Sequence, residues 1–385
     1  MKQRLISSGH PSGNGHALTG VAIRKYRLDE VGTARPFAVD EPYELCQEWA
    51  YYDDHEQLLA ADMDIYPFKR QTDVIVKGKA RGNGHDGQLL AEVNVSSNRF
   101  PILVYGDREV QLRNGQLVFT DPAPLTDIPL RFDYAYGGQD VASVHRYAGS
   151  LTDEAQRKAL LNPIDATVGA PFQYPRNPFG KGYIVSVDAH SFTPVALPNL
   201  EDPSNPLTPQ NIVGIPWNEW YRRPFPRATD WVNFEAFPRL AFAGFQPVFA
   251  GDTTTAEELR AGWAPELIFS EPVHEVPAEF SSYFFNGAAP GLQFPYLQPG
   301  AAIQLVNIHP VKRDYLLHLP TEYPMIQVDG RKGKMLETKP QLHSVVIDTD
   351  LNELRLIWAG SAPALRPYHD EELLEMPLIV EWNQP

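Results

Sequence analysis

The stretch Asp73-Val74-Ile75-Val76-Lys77-Gly78-Lys79-Ala80 sets the pattern for much of the chain. Val74, Val76 and Ala80 recur at even spacing within it. Side chains two residues apart lie on the same face of an extended strand. The stretch therefore predicts a β-strand with one apolar face, and further strand-like runs follow it along the chain.

The runs that follow include a hairpin signal. Residues 88–95 and 100–105 come first, and residues 108–112 and 116–119 then flank the pair Asn114-Gly115. An Asn-Gly pair between two strand-like runs favours a tight turn, because both residues accept positive φ. These residues therefore predict an antiparallel hairpin.

The C-terminal third has the same character. Its strand-like runs are residues 302–308, 315–319, 325–328, 342–347 and 353–358, separated by short polar turns. One of these turns contains Asp348-Thr349-Asp350, which could bind a hard cation but is more typical of a polar turn between strands. Short strands at this spacing predict a mainly β fold, an antiparallel β-sandwich or open-barrel architecture with long Pro/Gly-rich loops and a few short helices.

Helix signals are few. A capping pattern at residues 150–153 predicts a helix that stops at Asn162-Pro163. A second helix is predicted to start at Thr255 and end near Gly262, and residues 43–61 are a third candidate. Twenty of the 36 prolines lie between Pro163 and Pro299, which disfavours long helices and central strands there.

These patterns divide the chain into four segments. Residues 1–20 are rich in Gly, Ser and His, and they are predicted to be a flexible N-terminus. Residues 21–160 form an N-terminal β-rich part, 161–300 a Pro-rich, loop-dominated part, and 301–385 a C-terminal antiparallel β part. We expect these parts to pack as one or two compact domains.

Composition excludes some classes of function. The net charge of −15 argues against a general nucleic-acid binder, which needs a basic surface. The only cysteine, Cys46, cannot form an intramolecular disulfide, which suits a reducing compartment. The sequence shows no signal peptide and no apolar run of about 20 residues. We therefore expect a cytoplasmic protein that does not insert into a membrane.

The glycine pattern of residues 82–87, Gly-Asn-Gly-His-Asp-Gly, resembles a dinucleotide-binding motif. That chemistry needs a helix directly after the glycines, whereas a strand-like run follows here. A hairpin loop is the better interpretation.

The histidines give no stronger chemical signal. His309, His318 and His343 lie in the C-terminal strand region and could converge, but no local pair of metal ligands occurs. No serine-nucleophile motif is present either. We predict no catalytic residue, no cofactor and no metal.

Two segments are candidates for protein binding. Arg176 and Asn177 lie in a turn made stiff by proline and glycine. A second segment holds Trp217, Trp220, Tyr221, Arg222 and Trp231, and Trp, Tyr and Arg are the residue types enriched at binding hot spots. The alternative is internal: the arginine ties loops together and the aromatic rings fill a core beneath long loops.

Several motifs in order resemble a bacterial family, domain of unknown function 2169, which occurs in type VI secretion gene clusters. The motifs are residues 69–80, 105–108, 129–140, 176–183, 197–201, 284–290, 305–310, 319–320, 345–350 and 356–358. The resemblance implies an adaptor or chaperone that binds a secreted effector toxin and helps to load it onto a VgrG or PAAR spike protein.

We therefore expect a protein-binding adaptor that is not an enzyme. Two other classes stay open on the residues alone. One is a hydrolase of unknown substrate, which would show a pocket with convergent His and carboxylate groups. The other is a carbohydrate-binding β-sandwich with aromatic platforms.

Overall fold

The computed structural model describes residues 2–9, 15–150, 152–154, 172–215, 217–237, 239, 281–329 and 335–383. Strands dominate these residues, and antiparallel pairing dominates the strands. The predicted mainly β fold class is therefore confirmed. Among the helices of these residues, none combines the length and apolarity that crossing a bilayer would need.

The first half of the chain contributes thirteen strands and one α-helix to the described structure. They are β1 (Gln3–Gly9), β2 (His16–Leu28), β3 (Ala34–Pro36), β4 (Ala50–Tyr52), β5 (His55–Ala61), β6 (Thr72–Lys77), β7 (Lys79–Ala80), β8 (Gln88–Val95), β9 (Asn98–Tyr105), β10 (Glu109–Arg113), β11 (Gln116–Phe119), β12 (Ile128–Pro129), β13 (Tyr136–Gly137) and α1 (Val141–Ser150).

The second half adds short strands around loops and then longer strands near the C-terminus. They are β14 (Lys181–Gly182), β15 (Val195–Ala196), β16 (Leu200–Glu201), β17 (Gln293–Phe294), β18 (Ala302–Val306), β19 (Asp314–His318), β20 (Tyr323–Asp329), β21 (Met335–Glu337), β22 (Gln341–Asp348), β23 (Glu353–Ala364), α2 (Asp370–Glu375) and β24 (Leu378–Asn383). Short 3₁₀ helices occupy Phe132–Tyr134, Trp217–Arg222 and Ser282–Phe285, and the second of them is kinked at Glu219.

The largest sheet has seven strands. Six of them follow the order β1-β2-β23-β22-β6-β17, and the seventh, β3, pairs with the C-terminal end of β2. Strand β6, from the stretch that opened the sequence, pairs parallel with β22. Val74, Ile75 and Val76 are all buried, because β6 lies inside the sheet and both of its faces are covered. The N-terminal and C-terminal β parts therefore share one sheet.

A five-stranded sheet in the order β16-β9-β8-β18-β19 supplies the other half of the core. Val93, Ile102 and Leu305 from its inner face belong to the same buried cluster as Val345 and Ile347 of the large sheet. Two sheets that share one apolar interior match the packing of a β-sandwich. A smaller sheet, β21-β20-β24, packs on β1 and β2 through a separate apolar cluster.

The predicted hairpin is present. Strands β10 and β11 pair antiparallel, and Asn114 and Gly115 both have positive φ in the turn between them. The turn at Asp348 is also polar, as expected. The carboxylate of Asp348 accepts hydrogen bonds from the N–H groups of Asp350 and Leu351 at 3.1 and 3.0 Å.

Two sequence expectations were wrong. Residues 43–61 do not form a helix: β4 and β5 pair across a turn at Asp53 and Asp54, since adjacent aspartates favour turns. Residues 3–9 are not a flexible end but pair with β2 as β1, because Leu5 enters an apolar cluster.

The two helices predicted near residues 150–163 and 255–262 lie outside the described residues, apart from 150 and 152–154. Helix α1, by contrast, was not predicted from the sequence. Asp140 starts it by accepting hydrogen bonds from the N–H and the hydroxyl of Ser143 at 2.9 and 2.6 Å. The described residues of the Pro-rich part, 172–215, 217–237, 239 and 281–300, contain two-residue strands and short 3₁₀ helices between loops.

Candidate functional site

The predicted turn at Asn177 is bonded into the interior. Its side-chain amide donates to the carbonyls of Phe132 and Tyr136 at 2.7 and 3.1 Å. The Asn177 carbonyl accepts from the N–H of Gly138 at 2.8 Å. A Cβ at Gly137 would collide with that carbonyl oxygen, so the close approach requires glycine. Asn177 therefore joins two loops inside the protein, where it is buried.

Arg176 and Trp220 meet each other, but inside the protein. The guanidinium of Arg176 lies 5.4 Å from the ring centre of Trp220 and 4.5 Å from that of Phe225. Both Arg176 and Trp220 are buried. This cation–π arrangement fixes the loops against each other, which agrees with the internal alternative.

The other predicted binding residues are dispersed. Trp231 is buried in the main core, whereas Trp220 belongs to a second apolar cluster. Arg222 is exposed and pairs with Glu219. The side chains of Trp217 and Tyr221 lie outside the described residues. Among the predicted residues whose side chains are described, Arg222 alone faces solvent, so they form no common surface.

Sequence reasoning missed a buried polar network centred on Asp73. The ammonium of Lys69 donates to the carboxylate of Asp73 at 2.7 Å and to the hydroxyl of Ser344 at 3.0 Å. Lys69 and Asp73 are both almost fully buried. A buried ion pair needs further hydrogen bonds to offset its lost hydration, and a loop supplies them.

That loop is Asn286-Gly287-Ala288. The Asn286 amide and the Ala288 N–H donate to one Asp73 oxygen at 3.0 and 3.2 Å, and the Gly287 N–H donates to the other at 2.9 Å. We call Lys69, Asp73, Ser344 and this loop the Asp73 network. A Cβ at Gly287 would come within 2.8 Å of the Trp231 ring, so the loop also packs on the core.

A second buried ion pair lies beside this network. Arg239 donates to Asp62 at 2.6 Å and to the Tyr66 hydroxyl at 3.1 Å. The Tyr66 hydroxyl and the indole N–H of Trp49 both donate to the other Asp62 oxygen, at 2.8 and 2.9 Å. These four side chains stabilise the loops that lead into β6.

Asp230 is a buried carboxylate with an unusual proton affinity. The Tyr52 hydroxyl and the Trp231 N–H donate to it, the latter at 2.8 Å. Burial raises the pKa of Asp230 to about 6, even though Lys77 and these hydrogen bonds favour the charged form. The neighbouring Thr229 donates its hydroxyl to the Val76 carbonyl at 2.6 Å, which fixes the segment against β6.

The surface offers a different candidate site, organised by Arg81. Its backbone N–H donates to the Asn307 carbonyl at 2.8 Å. Its guanidinium donates to Asp127 at 2.6 Å and pairs also with Asp350. Arg81 thus joins the loop after β7 to the loops that follow β18 and β22.

These loops border a groove of about 480 Å³, which we call the Arg81 groove. Its lining residues are Arg81, Gly82, Asn83, Asp86, Gln88, Leu89, Leu90, Leu125, Asn307, His309, Pro310, Val311 and Arg313. Leu90 is 40% exposed and Val311 is 65% exposed. Exposed aliphatic residues beside arginine are typical of protein-binding surfaces.

The glycine segment 82–87 forms one rim of this groove. Strand β8 follows it directly, so no helix N-terminus is present to receive a pyrophosphate. The segment is a loop as predicted, but it joins strands of different sheets and does not close a hairpin. The side chain of Asn83 holds it by accepting from the N–H groups of His85 and Asp86, both at 2.9 Å.

The three C-terminal histidines have separate environments. His309 stacks on Tyr315 with ring centres 4.2 Å apart, and its Nδ1 accepts from the N–H groups of Val311 and Lys312 at 3.2 and 3.0 Å. Burial lowers the pKa of His309. His318 is exposed and His343 is buried in β22. Within the described ranges, no three His, Cys, Asp or Glu side chains are grouped for metal binding.

Comparison with protein families matches residues 14–359 to the family described as "Uncharacterized protein conserved in bacteria (DUF2169)". The chain belongs to this family. The expected resemblance is confirmed at that level, and the DUF2169 match includes both the Asp73 network and the Arg81 groove. No curated protein and no solved structure matches the chain.

We predict that Asp73→Asn strongly destabilises the DUF2169 protein. The amide would place a donor against the donors of the network and leave Lys69 buried without its counter-ion, at a cost of about 3–5 kcal/mol. Urea denaturation measures the free energy of unfolding. The control is Asp121→Asn, an exposed position where the change should stay within about 0.5 kcal/mol. A loss at Asp73 as small as that of the control would contradict the role of the network.

We also predict that Asp230 makes stability depend on pH. Its pKa in the folded protein, about 6, is above the ordinary value of 3.8. The stability from this group is therefore fully present below about pH 4 and is lost as the pH rises through about 6. Relative to Asp230→Asn, the wild type should gain about 2 kcal/mol between about pH 7.5 and about pH 4.5. Urea denaturation at each pH measures the free energy of unfolding of both proteins. If the difference between them does not change with pH, the raised pKa of Asp230 is refuted.

Proposed function

We propose that this DUF2169 protein is a type VI secretion adaptor that binds a secreted effector toxin and helps to load it onto a VgrG or PAAR spike protein. The observation that supports this function best is the Arg81 groove. It presents aliphatic side chains to solvent on a surface whose backbone is held by side-chain hydrogen bonds. Such a surface suits binding by shape and apolar contact.

Side-chain hydrogen bonds order the loop that borders the groove. Asn307 has positive φ, and its amide donates to the Leu90 carbonyl at 2.7 Å. The Asn307 side-chain oxygen accepts from Arg313 at 2.9 Å. These bonds connect the loop after β18 to β8, the strand that pairs with β18. A pre-ordered groove loses little entropy on binding, which favours affinity.

The charged side chains that line the groove have polar partners: Asp86 accepts from Asn83, and Arg313 donates to Asn307. Arg81 bonds with Asp127 and Asp350. Burying the exposed apolar surface of Leu90 and Val311 would therefore contribute most of the binding free energy, at roughly 25 cal/mol per Å² of apolar surface. We propose that an apolar stretch of the effector lies across these two residues.

The predicted test is co-purification with the effector and the spike protein encoded in the same gene cluster. Leu90→Asp combined with Val311→Asp should weaken effector capture at least about tenfold, because burying two carboxylates without partners is costly. The thermal unfolding of this variant should match the wild type, since both side chains are exposed. Affinity capture followed by quantitative mass spectrometry gives the readout.

The matched control changes two exposed leucines elsewhere, Leu365→Asp with Leu374→Asp. These residues are 60% and 68% exposed, so the same charge is added outside the groove. The control should capture the effector as the wild type does. Equal capture by the groove variant and the wild type would exclude the groove as the contact. Failure of the wild-type protein to bind either partner would exclude the adaptor function.

A further inference from the structure

A second cavity, of about 670 Å³, lies where the Phe68–Arg70 segment approaches the large sheet. Its other walls come from β21, β22, β23, the segment that joins β21 to β22, and the side chains of Ser282 and Tyr296. The cavity is separate from the Arg81 groove, with which it shares no lining residue. Its volume lies within the range of small-ligand sites.

His343 is the most unusual side chain in this cavity. It is the extra residue of a β-bulge, where β22 shifts register against β23 between Leu342 and Ser344. Bulges often redirect a side chain at a functional site. The His343 side chain lines the cavity although the residue is only 2% exposed, and its Nδ1 has no hydrogen-bond partner among the described residues.

The imidazole of His343 is neutral. Burial and, to a lesser degree, the nearby Lys69 lower its pKa to about 3. A neutral imidazole has one N–H donor and one acceptor nitrogen. It can therefore donate one hydrogen bond to an oxygen inside the cavity without bringing a second buried charge.

The charges that face His343 favour an anion. Arg70 and Lys339 line the exposed mouth, and Lys69 lies behind with its ammonium already bonded to Asp73 and Ser344. Glu337 is the one carboxylate among the described lining residues. Because Asp73 offsets the charge of Lys69, Arg70 and Lys339 face one carboxylate, Glu337. This excess of positive charge disfavours a metal ion, which needs oxygen ligands of negative charge.

Arg70 is oriented for a planar anion. Its Nε donates to the Ser282 hydroxyl at 2.7 Å, and its guanidinium lies 5.5 Å from the Tyr283 ring centre. Its two terminal nitrogens have no hydrogen-bond partner among the described residues. A guanidinium fixed in this way presents two parallel donors, which match the two oxygens of a carboxylate.

We infer that this cavity binds a carboxylate-bearing ligand, held by Arg70 and Lys339 at the mouth and by an N–H of His343 within. The carboxylate has two sources, a small carboxylic acid or the C-terminus of a polypeptide. The inference does not depend on the adaptor function, because it rests on a different part of the molecule.

The test uses the full chain with ¹⁵N-labelled histidine. The probes are succinate, acetylated tetra-alanine with a free C-terminal carboxylate, and the same peptide with a C-terminal amide. A carboxylate probe should shift the imidazole ¹⁵N resonances of His343 and lock one tautomer. Binding of the acid peptide but not succinate identifies a polypeptide terminus, and the reverse identifies a small acid.

Variants at the mouth test the charges without disturbing the buried His343. Arg70→Ala and Lys339→Ala should each lower the affinity for the carboxylate probe about tenfold, measured by calorimetry. Glu337→Gln should raise that affinity. Lys312→Ala, an exposed position outside the cavity, should leave the affinity unchanged.

Three results would overturn the inference. The first is that the His343 resonances do not shift with any probe at concentrations up to about 10 mM, because a specific site would bind at lower concentrations. The second is equal binding of the amide and acid peptides. The third is that Arg70→Ala and Lys339→Ala both bind the probe with the affinity of the wild type.

Discussion

The rest of the structure depends on the need to satisfy the buried carboxylate of Asp73. A charge on a strand inside the core is tolerated only if every acceptor site has a donor. Lys69 supplies one, and the Asn286-Gly287-Ala288 loop supplies three. Lys69 also bonds to Ser344 of β22. The Lys69–Asp73 ion pair therefore joins three segments that are distant in sequence.

This constraint reaches the surface through β6. The strand is held on one side by β22 and on the other by β17, and the chain then passes through β7 to Arg81. Arg81 joins three loops through Asn307, Asp127 and Asp350. The proposed binding groove is thus a consequence of interior order, which explains how loops can present a defined surface.

The sequence predicted local elements well and the candidate site poorly. Alternation identified most long strands, and Asn114-Gly115 identified its hairpin, because those signals are local. The helix predicted for residues 43–61 was wrong because the spacing of apolar residues there did not argue strongly against a helix. Trp220 and Arg176 misled because a buried cluster and a binding hot spot have the same composition. The loop that donates to Asp73 lies more than 200 residues away, so no spacing rule could find it. Lys69 and Asp73 beside an apolar run were the local signal.

The most direct measurement is hydrogen–deuterium exchange of the chain alone and in complex with its effector. If the Arg81 groove is the contact, amides in residues 81–90 and 307–313 should exchange more slowly in the complex. Residues 217–222, which hold the buried Trp220, should keep their rates. Protection of 217–222 with no change at the two groove segments would contradict the account, because it would place the partner on the side chains that the fold buries.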